Sequence, residues 1–246
     1  MIIDIFTNNT KFISKIPKEF RIRNIYTEKK ELRLITRKKI LVLNKKNINK
    51  IKKDNNNLGF IFDFGLIIPK KIIKSYKLGI INIHTGDLPK YRGRNPLVWA
   101  FLNNEKKIGV SSHLIDLKID RGFLLKKIFI KRDYADDIQT INRKIIQNIP
   151  KLIRESKENL LKKKYKIIRR GKYWPAIKNK FKVLNSKVHG YIYLMNLIKS
   201  QKIYGGVEIN KNIIIDSFFY KKKIKLNKKL FVILCKDGKK LIVLKK

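Results

Sequence analysis

Short apolar runs recur along the first half of the chain, separated by polar, lysine-rich intervals. Residues 2–6, 32–35, 40–43, 60–64 and 80–83 form such runs with little strict alternation, the pattern of strands buried on both faces. Strand–helix alternation predicts an α/β fold, a Rossmann-like, mostly parallel sheet with helices on both faces. Residues 111–117 and 123–130 read as two further strands. A helix is expected from Asp136-Asp137, whose acids complement its dipole, through Ile141, Ile145 and Ile146. Pro150 should stop or restart it, with a second helical stretch over 152–161. Past Arg169-Arg170-Gly171-Lys172-Tyr173-Trp174-Pro175 the texture changes. One helix over 191–198 precedes strand-like runs at 207–209, 213–215, 231–235 and 241–244, the last two joined by an Asp237-Gly238 hairpin turn. The expected organisation is a larger α/β domain over 1–170 and a small β-rich domain over 171–246.

Composition adds two constraints. With 43% apolar residues in 246, the chain can build a real core. The single cysteine, Cys235, lies in an apolar run and excludes an internal disulfide or a multi-cysteine metal site. Nothing approaches the ~18 uncharged apolar residues of a membrane span, and the N-terminus reads as a strand, so a cytoplasmic location without membrane contact is expected. The formal charge of +43 would attract polyanions, although lysine, isoleucine and asparagine are enriched together, as codon bias alone produces.

The chemistry concentrates between residues 82 and 122, which hold two of the three histidines. Asn82-Ile83-His84 ends a predicted strand, placing Asn82 and His84 on one side at its carboxyl end, where open α/β sheets bind ligands. The rigid turn Leu88-Pro89-Lys90-Tyr91-Arg92-Gly93 follows, then Gly109-Val110-Ser111-Ser112-His113 and Asp120-Arg121-Gly122. Taken alone, Asn-x-His better suits a buried turn cap beside a core histidine. An amide, two imidazoles and a carboxylate brought to neighbouring strand ends make the inventory of a proton-transfer site with an oxyanion donor. The turn after the first strand, Thr7-Asn8-Asn9-Thr10, has no glycine, so no phosphate-cradling loop is expected there.

These motifs and their spacing resemble the folate-dependent formyltransferase family over roughly residues 58–150, and Phe64-Gly65-Leu66-Ile67-Ile68-Pro69 resembles that family's upstream loop. The resemblance implies an enzyme that moves a formyl group from 10-formyltetrahydrofolate to a primary amine. It implies oxyanion donors at Asn82 and His84, proton transfer by Asp120 and orientation by His113. The pterin would meet the backbone of Leu66, Ile67 and Ile68 and the loop that carries Asp116 and Ile119. No metal is implied. Gly86-Asp87 departs from the family's Ser-Leu, placing an acid beside the site.

Two acceptors stay open. Charge, with Lys221-Lys222-Lys223 and Lys239-Lys240 exposed by pattern in a basic C-terminal region, favours initiator methionyl-tRNA by a narrow margin. The stretches Tyr91-Arg92-Gly93-Arg94-Asn95-Pro96-Leu97-Val98-Trp99 and Leu102-Asn103-Asn104-Glu105 sit closer to relatives that formylate a nucleotide-linked amino sugar. A third reading is a basic RNA-binding protein on an inactive transferase fold, against which Asn82, His84 and Asp120 all stand intact.

Overall fold

The computed structural model describes residues 1–34, 39–51, 58–177, 181–220 and 224–246. The chain divides into two compact units. The first holds Met1–Arg92, Gly109–Phe129 and Ile145–Lys172; the second holds Gly93–Ile108, Ile130–Lys144 and Tyr173–Lys246.

In chain order the elements are β1 (Ile2–Thr7), α1 (Thr10–Ile13), β2 (Arg21–Thr27), β3 (Ile40–Val42), β4 (Leu58–Phe62), α2 (Lys70–Ile73) and β5 (Ile80–His84). Then come β6 (Arg92–Gly93), α3 (Pro96–Leu102), β7 (Lys107–Leu114), β8 (Phe123–Lys131), α4 (Ile138–Leu161), β9 (Lys166–Ile167) and β10 (Tyr173–Trp174). The last are β11 (Lys182–Val183), α5 (Tyr191–Gln201), β12 (Val207–Ile209), β13 (Asn212–Phe219), β14 (Leu230–Leu234) and β15 (Lys240–Lys245).

The first unit is built on a sheet of order β3-β2-β1-β4-β5-β7-β8-β9. Its first five strands pair in parallel, and β7 joins β5 antiparallel. The Rossmann-like, mostly parallel expectation is met. Every residue of β4 is buried, as a central parallel strand requires. Phe6, Tyr26, Ile61, Ile72, Tyr76 and Ile80 share one core cluster.

The fold departs from the sequence reading at four places. The first concerns β2, which the apolar pattern misses because Arg21, Arg23 and Asn24 interrupt it. Buried Asp4 accounts for them: it takes an ion pair from Arg23 at 2.7 Å and a hydrogen bond from the Asn24 side chain at 3.1 Å. The second concerns 32–35, read as a strand: Lys30–Leu34 is a 3-10 segment, with Leu32 buried between exposed Glu31 and Arg33, and Ile35 lies outside the described residues. The third concerns 111–117, since β7 starts at Lys107 and ends at Leu114, leaving 115–117 to a loop.

The fourth is Pro150, which does not stop the helix. α4 runs unbroken for 24 residues through it. Ile141, Ile145, Ile149, Leu152, Ile153 and Ser156 form one buried stripe across the proline, and its burial outweighs the one lost backbone bond. Asp137 caps the start, its Oδ1 accepting the Thr140 N–H at 2.8 Å.

The second unit contains a sheet of order β11-β12-β13-β15-β14, with Leu194, Met195, Leu197 and Ile198 of α5 in its core. Cys235 belongs to that core, and burial pushes its thiol up to about 11, as befits a packed small hydrophobe. Lys221-Lys222-Lys223 lies outside the described residues, while Lys239 and Lys240 are exposed.

Candidate active site

All four polar residues singled out between 82 and 122 come together in the first unit. Asn82 and His113 are directly opposed across β5 and β7, and their side chains meet, Asn82 Nδ2 lying 3.2 Å from His113 Nε2. Asp120 Oδ1 lies 3.5 Å from His84 Nδ1 and 3.7 Å from His113 Nε2. His84, His113 and Asp120 are buried, and Asn82 is half-buried.

Backbone carbonyls fix both imidazole tautomers, because a carbonyl oxygen can only accept. His84 Nε2 lies 2.6 Å from the Tyr91 oxygen, so its proton sits on Nε2 and Nδ1 presents a lone pair to Asp120. His113 Nδ1 lies 3.0 Å from the Arg121 oxygen, so Nε2 is left to accept one amide hydrogen from Asn82. Neutral His84 therefore spends its only N–H on Tyr91. It can donate from Nδ1 only as the imidazolium. Burial lowers the His84 pKa, against the opposing pull of the Asp120 carboxylate. The pair His84–Asp120 thus has a seat for one proton.

The surrounding turns place these groups. Asp120 itself has φ 50°, left-handed, and Gly122 has φ 97°. A Cβ on Gly122 would strike the Leu114 carbonyl oxygen, so only glycine lets the loop close there. The Ser111 hydroxyl ties β7 to the turn after β5: it accepts the Leu88 N–H at 3.0 Å and donates to the Gly86 carbonyl at 2.8 Å. Asp87, the departure noted in the sequence, is held in an ion pair by Lys127 at 2.5 Å.

The residues expected to meet a planar ligand lie in two loops. Leu66 is half-buried, Ile67 is 71% exposed and Ile68 is buried, all in irregular backbone after β4. Asp116 is exposed, and its Oδ1 accepts the Lys118 N–H at 2.7 Å. Leu117 and Ile119 beside it are exposed large apolar side chains. Leu66 and Ile115 pack against the same core cluster, which anchors both loops on one body. Exposed apolar residues at anchored loops are what a flat, partly apolar ligand would cover.

Two positions did not stand out as site residues in the sequence. Arg92 and the Tyr91 carbonyl lie within the turn motif, but nothing in a linear pattern shows that one binds the Asp120 loop and the other holds His84. Among the described residues no group of three His, Cys, Asp or Glu side chains is arranged to hold a metal, and no helix is long and apolar enough to cross a membrane.

A family model described as Formyl transferase matches residues 3–156, well over half of the chain. The chain belongs to the formyl transferase family. This family member is 38% identical over 98 residues to the methionyl-tRNA formyltransferase of Thermodesulfovibrio yellowstonii, a match covering 40% of this chain and 32% of that protein. The match thus spans about a third of the length of such curated relatives. Among solved structures, an N-formyltransferase from Helicobacter canadensis, in complex with folinic acid and dTDP-3-aminofucose, superposes with a TM-score of 0.72 at 21% identity. That superposition covers 100% of this chain and 99% of the other. WlaRD, a sugar 3N-formyl transferase, gives a TM-score of 0.71 at 21% identity, covering 100% and 97%. At those identities the likeness is one of fold.

Proposed function

We propose that the chain transfers a formyl group from 10-formyltetrahydrofolate to a primary amine. The observation that carries this reading is the convergence of His84 and His113 on Asp120, with Asn82 bonded to His113, in a chain of the formyl transferase family. The H. canadensis neighbour binds folinic acid, and the exposed Ile67, Leu117 and Ile119 suit the flat ring of such a donor.

Each side chain has a task that its geometry permits. The amine nitrogen attacks the formyl carbon, forming the new C–N bond and turning the carbonyl oxygen into an oxyanion. Asn82 gives one amide hydrogen to His113, and its second is the oxyanion donor. Asp120 accepts the proton released by the amine, and His84 Nδ1 shares it. As imidazolium, His84 then adds a positive charge next to the developing anion. The same proton goes to the donor nitrogen as its C–N bond breaks, which returns the site to its starting state. His113 orients the Asn82 amide.

The acceptor we favour is an amino sugar carried on a nucleotide. An N-formyltransferase in complex with dTDP-3-aminofucose and a sugar 3N-formyl transferase each superpose on the whole of this chain, second unit included. The methionyl-tRNA relatives match over 98 residues, 40% of this chain and 32% of their own length. Charged initiator tRNA remains the second reading, supported by the +43 charge and exposed Lys239 and Lys240. One assay decides: formyl transfer from 10-formyltetrahydrofolate to nucleotide-linked amino sugars and to methionyl-tRNA, side by side. Product on a sugar alone supports the first reading. Product on tRNA alone replaces it with the second, and no product on any amine overturns formyl transfer.

A further inference from the structure

The chain turn that follows His84 reaches the two ends of the proton seat through adjacent residues. Tyr91 contributes its carbonyl to His84. Arg92 contributes its buried guanidinium to the Asp120 loop, donating to the Ile119 carbonyl from Nη2 at 2.9 Å and to the Asp120 carbonyl from Nε at 3.3 Å. A third bond runs from Nη1 to the Gly171 carbonyl at 3.3 Å, joining a distant segment to the same clamp. Gly171 is itself confined, since a Cβ there would overlap the Pro89 carbonyl.

The loop needs such a clamp. Asp120 has φ 50° and Gly122 φ 97°, so two residues in three occupy a region that L side chains avoid. The carboxylate must nevertheless stay 3.5 Å from His84 Nδ1. A guanidinium can meet several carbonyls at once in a fixed fork, whereas a lysine ammonium is a single point on a flexible stem.

We propose that Arg92 is a positioning residue, which sets the Asp120–His84 separation by gripping the Ile119 and Asp120 carbonyls. The inference rests on the formyl-transfer reading for its kinetic consequence, but not for its geometry. Displacement of about 1 Å in a catalytic group costs on the order of 100-fold in rate. Arg92→Lys should therefore lower kcat by about 10- to 100-fold with little change in KM for the folate donor. The double variant Arg92→Lys with Asp120→Asn should be no slower than Asp120→Asn alone, because Arg92 acts through that carboxylate.

A second readout is independent of turnover. The chain has three histidines, so the His84 titration can be followed by NMR in the full-length protein. Asp120→Asn should move that titration, and Arg92→Lys should move it in the same direction. Additive rate losses together with an unmoved His84 titration would overturn the positioning role. A wild-type protein inactive on every amine, with His84 still responding to Arg92→Lys, would overturn formyl transfer and leave the clamp standing. Arg92→Gln serves as the second variant should Arg92→Lys fold poorly, with the same two outcomes.

Discussion

Asp120→Asn separates chemistry from architecture more cleanly than any other substitution in this site. Asp120 occupies the left-handed region at φ 50°, which asparagine tolerates better than any residue but glycine, so the loop has no reason to move. The new amide is nearly isosteric and can donate to His84 Nδ1, whose lone pair lies 3.5 Å from the present oxygen. What disappears is the negative charge and the ability to take a proton. General acid–base catalysis is worth roughly 10²- to 10⁴-fold. The expected loss in kcat is of that order, equivalent to about 3–5 kcal/mol in the barrier. The assay is single-turnover formyl transfer from 10-formyltetrahydrofolate, with donor affinity measured separately by calorimetry and thermal stability by scanning calorimetry. Affinity and melting temperature should stay close to wild type. A variant that turns over at near wild-type rate would remove Asp120 from proton transfer, and a variant that loses donor binding as completely as rate would assign the carboxylate to binding.

Three further perturbations test other parts of the structure. His84 has a folded-state pKa lowered from 6.5 by burial, so the unfolded chain takes up its proton first as the pH drops. The stability it contributes is complete above about pH 6.5 and is lost as the pH falls toward the folded-state value, by up to about 1.4 kcal/mol per unit. Urea melts between pH 7.5 and 5 should show this loss, and His84→Gln should flatten it; an unchanged slope in the variant would mean that burial of His84 is not what lowers stability in acid. Ser111→Ala leaves the buried Leu88 N–H without its acceptor and should cost about 1–3 kcal/mol in chemical denaturation, while Ser111→Thr should retain most of the stability. Pro150→Ala restores a backbone donor inside α4 and should raise stability by up to about 3 kcal/mol; a lower melting temperature would mean that the proline ring packs better than its lost bond is worth.

What the sequence made legible follows from how local each signal is. β1, β3, β5 and β8 are apolar enough along their length to be read without their neighbours. β2 is not, because its polar residues answer to Asp4 on another strand, and a linear pattern carries no trace of that partner. Pro150 shows the opposite error, a local rule overridden by a buried stripe that continues on either side of it. The polar cluster was legible as a set of residue types at strand ends, and the four named side chains do meet. Their protonation was not legible. It depends on which nitrogen faces the Tyr91 or Arg121 carbonyl, and that emerges only when separate turns are folded against each other.

The register of β5 against β7 has a bearing on how such a protein can change over generations. Asn82 faces His113 and His84 faces Ser111 in one antiparallel ladder, held by backbone bonds that are indifferent to side-chain identity. A slip of a single residue in either strand would turn one member of each pair to the opposite face. The chain between the two strands is held as well, through α3 with Leu97, Val98, Ala100 and Phe101 buried. A lineage built on this plan inherits the two pairs of the reacting centre together or not at all, because one register sets both.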